Sequence, residues 1–234
     1  MMLVRLSGHA GAGKSRLIAA LPRFGVDCHR AILYTSRPAR KGEAHGKDYY
    51  FLSRSAIAAL PGWDFYVGPV REMLQAVDLG QLESDLRSCG VVMIEIFADL
   101  WPGLVVRLEQ RMGVAIPAAS AFMTAVDPQA ILAKPDDQSR AQLIQDEVER
   151  ILRWRDKDGP EQIKSRARSA VREILTAIGP EGAKLYTRVL HSSPEGPDGK
   201  DDWTRETEPT GRAMQVLNEF IAFYKSVQNE DDAY

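Results

Sequence analysis

Residues 8–15 of this chain read Gly8-His9-Ala10-Gly11-Ala12-Gly13-Lys14-Ser15, the pattern G-x-x-x-x-G-K-[ST]. Ahead of it lies Met2-Leu3-Val4-Arg5-Leu6-Ser7, a short apolar run with strand character, and behind it Leu17-Ile18-Ala19-Ala20-Leu21 begins a helix. A strand that ends in a glycine-rich loop and re-enters as a helix is the context this motif requires. Glycines let the backbone wrap closely around a polyphosphate, and their N–H groups then point at the anion together with the helix N-terminus. Gly8, Gly11, Ala12, Gly13, Lys14, Ser15 and Arg16 are therefore the expected nucleotide-binding residues. Lys14 is expected to reach the β- and γ-phosphates, and the Ser15 hydroxyl to hold Mg²⁺. His9, inside the loop, is expected to face solvent and to take no part in the chemistry.

The apolar runs that follow alternate between strand and helix character, which predicts an α/β fold with a mostly parallel sheet. Strands are expected at Cys28–Tyr34, Tyr49–Leu52, Trp63–Val67, Val91–Ile96, around Ala121-Phe122-Met123 and at Leu185–Leu190. Helices are expected at Arg54–Leu60 behind a Ser53 cap, Leu79–Ser88, Leu104–Met112, Ser139–Trp154, Glu161–Ile178 and Met214–Val227. A length of 234 residues suits one domain, or one with a sizeable insertion, and 44% apolar residues supply a core. The net charge of −2 offers no global basic field for a nucleic-acid partner. Cys28 and Cys89 match no metal-ligand spacing and read as reduced thiols. No apolar run approaches a membrane span and no secretory leader precedes the loop, so the expected setting is cytoplasmic.

A second stretch is equally specific: Tyr34-Thr35-Ser36-Arg37-Pro38-Ala39-Arg40-Lys41-Gly42-Glu43-Ala44-His45-Gly46-Lys47-Asp48-Tyr49-Tyr50-Phe51. Two arginines three apart, with a tyrosine hydroxyl nearby, form a bidentate clamp for a phosphate. Taken alone, the cluster also reads as a solvated loop; beside a phosphate loop, the clamp reading is preferred. Both motifs, in this order and at this separation, resemble the guanylate kinase family. The resemblance implies a P-loop NTPase three-layer fold with a mostly parallel central sheet, a small acceptor-binding β subdomain and a helical lid. It implies one domain over 1–234, with the acceptor region at 34–78 and an insertion plus lid at 127–182. It further implies an ATP-dependent, Mg²⁺-requiring kinase. Arg37, Arg40 and Tyr49 would hold the phosphate of a nucleotide or other phosphorylated small-molecule acceptor, and Lys14, Arg37 and Arg40 would act in transfer. By similarity to the family's lid helix, Arg166 and Arg172 would reach the transferring phosphates; a solvated basic helix face is the alternative.

The chain also departs from the family's pattern. Between Asp64 and Asp78 there is no G-x-Y-G-[ST] segment, and Leu33 stands where the family carries a serine. The acidic D-x-D at the end of the central strand becomes Glu95-Ile96-Phe97, leaving one carboxylate to contact the acceptor sugar, orient Mg²⁺ through water or serve a structural partner. The phosphate chemistry is thus retained without the family's base-reading residues, which points to altered specificity. Asp64, Glu72 and Asp78 are open candidates for that reading. GMP or dGMP is the family default; a different nucleoside monophosphate, or a sugar phosphate such as ribose bisphosphate, is the alternative, as is a nucleotide-gated regulatory module. Residues 127–158 read as an insertion that could enlarge the lid, bind a bulkier acceptor, form a homodimer contact or simply pack as a charged helix.

Overall fold

The computed structural model describes residues 1–40, 42–89, 91–154, 158–192, 209 and 211–231. In chain order the strands are β1 (Met2–Gly8), β2 (His29–Arg30), β3 (Tyr34–Thr35), β4 (Tyr50–Phe51), β5 (Phe65–Val70), β6 (Met73–Asp78), β7 (Val91–Ile94), β8 (Ala118–Thr124) and β9 (Arg188–His191). The helices are α1 (Lys14–Ala20), α2 (Arg54–Ala58), α3 (Leu79–Cys89), α4 (Trp101–Met112), α5 (Pro128–Leu132), α6 (Asp137–Trp154), α7 (Pro160–Ile178), α8 (Gly182–Leu185) and α9 (Gly211–Asp231). Two compact units result, one of residues 1–5 and 27–119, the other of residues 6–26 and 120–234.

The five-stranded sheet has the order β2-β7-β1-β8-β9. In the first unit, β7 pairs in parallel with β1 from Met2↔Val91 to Arg5↔Ile94, and with β2 at His29↔Val92. In the second, β8 pairs in parallel with β9 from Ala121↔Arg188 to Thr124↔His191. Val91-Val92-Met93-Ile94 is buried throughout, as expected of a strand covered on both faces. Arg5 is an exception within β1. It is fully buried, and its guanidinium donates to the Ala98 carbonyl at 3.3 Å and lies 5.4 Å from the Trp101 ring. A buried cation is tolerable only with such partners. The core of this unit joins Leu3, Val92 and Ile94 of the sheet to Leu82 and Leu86 of α3 and to Leu104, Leu108 and Met112 of α4, which recur at a four-residue interval.

A second sheet, of order β4-β3-β6-β5, is built entirely in the first unit. β3 runs parallel to β4 and antiparallel to β6, while β5 and β6 form a hairpin from Phe65↔Asp78 to Val70↔Met73. β6 was not foreseen in the sequence. Its turn is Arg71-Glu72, with Arg71 at φ 57°, where a two-residue hairpin normally shows glycine or asparagine. The single strand expected at Cys28–Tyr34 is instead two short ones in different sheets. The apolar residues Ala31 and Leu33 are buried as the chain passes from one sheet to the other, so the run signals burial and not one ladder.

In the second unit, α6 and α7 pack along one another. Ile144, Val148, Ile151 and Leu152 of α6, and Ile163, Ala167, Ala170, Ile174 and Ala177 of α7, form their buried stripes at helical spacing. The last helix runs on to Asp231, past the end expected at Val227. The polar, Pro- and Gly-containing stretches 156–160 and 192–211 read in the sequence as a break and a loop; of these, residues 156–157, 193–208 and 210 lie outside the described residues.

Candidate active site

The phosphate loop is shaped by backbone geometry. Gly8, Gly11 and Gly13 have φ of 146°, 94° and 86°, a region that side-chain-bearing residues rarely enter. At Gly8 there is a second constraint, since a Cβ would overlap the Met123 carbonyl oxygen of β8. Gly13 precedes α1, and the N–H groups of Arg16 and Leu17 return to its carbonyl at 3.0 Å each. Lys14 donates from Nζ to the carbonyls of Gly8 at 2.6 Å and His9 at 3.1 Å, so its ammonium is held at the loop's own backbone. Ala12 is buried, whereas Ser15 and Arg16 are exposed.

His9 corrects the expectation that it faces solvent. It is only 1% exposed; its Nε2 accepts the Ala125 N–H at 2.9 Å, and its Nδ1 lies 2.8 Å from the Ala10 carbonyl. These partners fix a neutral imidazole with the proton on Nδ1. The side chain therefore ties the loop to the end of β8. Ser192 provides a second tie, its hydroxyl donating to the Ala12 carbonyl at 2.6 Å. Beside it, burial and then the charge of Arg212 push the His191 imidazole below its ordinary range, against the pull of Asp127.

The arrangement suits a magnesium-bound nucleoside triphosphate. Positive-φ glycines give the loop the backbone conformation that turns N–H groups toward an anion, Lys14 is at hand, and the Ser15 hydroxyl is an oxygen ligand of the kind Mg²⁺ takes beside phosphate oxygens. Among the described residues no group of three or more His, Cys, Asp or Glu side chains could hold a metal by itself.

The expected acceptor residues lie in the other unit. Arg37 donates from Nη1 and Nη2 to the two oxygens of Glu43, at 2.6 and 2.8 Å. The Arg40 backbone N–H reaches the same carboxylate at 2.8 Å, and Arg40 Nη1 lies 3.7 Å from it. Gly42, at φ 83°, lets the chain fold back so that Glu43 N–H meets the Arg40 carbonyl at 3.0 Å. The Arg37 guanidinium also lies 4.8 Å from the Tyr49 ring centre and 5.3 Å from that of Phe51. Burial alone would raise the Glu43 carboxyl, but the Arg37 and Arg40 hydrogen bonds and charges bring it below its ordinary range. Burial, reinforced by Glu95 and opposed by Arg37, Arg30 and Arg40, pushes the Tyr49 phenol up to about 12. Glu43 and Arg30 were missed as site residues. Glu43 stands inside the quoted motif, and an acid three residues after an arginine was the available signal.

Glu95 carries a partner of its own, the Arg30 guanidinium at 2.8 Å. Asp78 accepts the Gln81 N–H at 2.9 Å in the first turn of α3, and Asp64 lies 3.6 Å from Arg111. Glu72 is exposed at the hairpin turn. Cys28 is a thiol pushed up to about 11 by burial and by Asp27, which suits a reduced, unreactive side chain.

Arg166 and Arg172 both lie on α7, six residues apart, hence about 120° apart around the helix. Arg166 is mostly buried and donates to Asp158 at 2.7 Å, while Arg172 is exposed. The structure thus separates the two arginines onto different faces.

Comparison with known proteins agrees with the motifs. The guanylate kinase family model matches residues 1–66, which hold both of them. A guanylate kinase of Sodalis glossinidius is 29% identical over 182 residues, covering 72% of each chain. One of Halalkalibacterium halodurans is 33% identical over 91 residues, 34% of this chain and 45% of that protein, so this match spans less than half of the relative's length. Among solved structures, a guanylate kinase of Anaplasma phagocytophilum superposes with a TM-score of 0.53 at 17% identity, over 96% of this chain and 85% of that one, which establishes likeness of fold. Both motifs, the α/β fold and these relatives agree in one likeness: the chain is similar to guanylate kinases in its phosphate loop, in the segment around Arg37 and Arg40 and in its fold.

Proposed function

We propose that this protein is a phosphotransferase that moves the γ-phosphoryl group of Mg-ATP onto the phosphate of a nucleoside monophosphate. A phosphate loop alone would serve a hydrolase or a switch equally well. The observation that carries the proposal is the pair Arg37 and Arg40, braced by one carboxylate and set beside a tyrosine. Bracing costs the site flexibility and supplies a planar cation of fixed orientation, which two oxygens of a tetrahedral, doubly charged phosphate can meet.

Each residue then has a task. The loop backbone and Lys14 hold the β- and γ-phosphates. The Ser15 hydroxyl would hold Mg²⁺, which would supply positive charge to the transferring phosphates. Arg37 and Arg40 orient the acceptor phosphate, and Tyr49, un-ionised at neutral pH, donates a hydrogen bond to it. The acceptor's own phosphate oxygen is the nucleophile, so no general base is required. Arg166 exchanges Asp158 for the phosphoryl oxygens, and Arg172 is the second lid cation in this reading.

A coupled ADP-release assay tests the proposal, with Mg-ATP and a panel of ribo- and deoxynucleoside monophosphates and ribose phosphates. Turnover that requires a nucleoside monophosphate supports it. Turnover with a sugar phosphate alone, or ADP release indifferent to any acceptor, replaces it with one of the two alternatives.

A further inference from the structure

The second sheet carries one group that nothing above has used. Gln75 of β6 has its Oε1 buried, without any hydrogen-bond partner among the described residues, although the side chain as a whole is partly exposed. Buried polar atoms are almost always satisfied, and an exception in a native fold asks for an explanation. Were Gln75 only a packing residue, an apolar side chain of the same size would fill the place without that cost.

The register shows where this amide stands. Thr35 pairs with Gln75 and with Phe51, and Gly68 pairs with Gln75 from the other side. Paired residues share a face, so Phe51, Thr35, Gln75 and Gly68 form one row across the sheet. Tyr34 and Tyr50, one position earlier on their strands, stack at 4.6 Å on the opposite face. The row begins at the clamp: Phe51 underlies Arg37, and the Arg37 backbone N–H lies 3.4 Å from the Thr35 hydroxyl. Two strand spacings, about 9–10 Å in all, separate Phe51 from Gln75. That is a span suited to an acceptor whose phosphate rests on Arg37 and whose ring extends along the sheet.

We infer that Gln75 reads the nucleobase of the acceptor, and that it does so as a neutral amide that does not select guanine. This rests on the proposed reading of the second sheet as the acceptor site. A carboxylate accepts two N–H donors side by side, the pattern of guanine N1 and its 2-amino group. An amide offers one acceptor beside one donor, and turning its terminal torsion exchanges the two. It matches any base edge that sets an N–H beside a carbonyl or ring nitrogen, and it has no second acceptor for the 2-amino group. Of the acids of this sheet and its flanks, Glu43 is held by Arg37, Glu95 by Arg30, Asp78 by the first turn of α3 and Asp64 faces Arg111, while Glu72 is exposed at the hairpin turn.

The test is calorimetric binding of GMP and IMP, which differ only in the 2-amino group, to the full chain and to Gln75→Leu and Gln75→Glu. The wild type is expected to bind the two within about 3-fold of each other. Gln75→Leu should weaken both by about 10-fold, and Gln75→Glu should favour GMP over IMP by about 10-fold, the worth of one added hydrogen bond to a charged acceptor. Wild-type preference for GMP above 10-fold, or affinities unchanged in Gln75→Leu, would overturn the role of Gln75 and leave the proposed transfer standing. Failure of the wild type to bind any monophosphate, while Mg-ATP still binds, would overturn the acceptor reading and this inference together. Thermal unfolding of both variants separates a loss of fold from a loss of reading, because the Leu variant removes an unsatisfied group and should melt no lower than the wild type.

Discussion

The phosphate loop and the second sheet hold their cations in different ways. Lys14 is answered by backbone carbonyls, and the side chains that fix its loop, His9 and Ser192, are neutral. Arg37, Arg40 and Arg30 are answered by the carboxylates of Glu43 and Glu95. A backbone cradle depends on glycine conformation and close approach, which leave a compact signature in the sequence. A cradle of ion pairs depends on side chains brought together from separate segments. The first is intolerant of a Cβ at Gly8; the second depends on carboxylates and so weakens when Glu43 is protonated.

The largest effect should come from the loop. Lys14→Ala is expected to lower kcat by about 1,000-fold, since it removes a charge aimed at the transferring group. Steady-state kinetics on a protein with unchanged thermal unfolding would show this. A fall of less than 10-fold would mean that the loop binds nucleotide without assisting transfer.

Next, Glu43→Gln should loosen Arg37 and Arg40 and raise the acceptor KM by about 10-fold with little change in the KM for ATP, the loss of one charge-assisted contact. The same variant carries a pH signature. Because the Glu43 carboxyl lies below its ordinary range in the folded protein, its contribution to stability is complete above that range and is lost as pH falls through the lowered value. The stability difference between wild type and Glu43→Gln, followed by denaturant unfolding from neutral to acidic pH, should therefore shrink on acidification. A difference that grows would contradict the ion-pair account.

His9→Ala leaves the Ala125 N–H without its buried acceptor and should cost about 1–3 kcal/mol in unfolding experiments. His9→Asn, which keeps an acceptor and a donor, should recover part of that loss. Ser192→Ala removes one hydrogen bond to the Ala12 carbonyl and should cost about 1 kcal/mol. Equal effects of His9→Ala and an exposed substitution such as Arg150→Ala would mean that the loop needs no side-chain support.

The same contrast accounts for what the sequence made legible. The loop, β1 and the two long amphipathic helices α6 and α7 follow from local pattern alone, and they were readable to within a few residues. The motif around Arg37 and Arg40 was readable as chemistry, but Glu43 as its brace required seeing the chain fold back at Gly42. β6 was hidden because Arg71-Glu72 makes a tight turn with residues that do not announce one. Gln75 was hidden with it, since only the pairing of β6 with β3 places that amide in the row beside Arg37. His9 was misread because its partner, the Ala125 N–H, is 116 residues away.

The most direct test of the central claim follows the phosphoryl group itself. ATP labelled at the γ-phosphate would be incubated with Mg²⁺ and the best nucleoside monophosphate, using the wild type, Lys14→Ala and Arg37→Ala. The account predicts label in the nucleoside diphosphate product, near-complete loss in Lys14→Ala, and a loss in Arg37→Ala that added acceptor partly restores. Label appearing only as free phosphate, at a rate unaffected by acceptor or by Arg37→Ala, would contradict it and mark the chain as a nucleotide-hydrolysing switch.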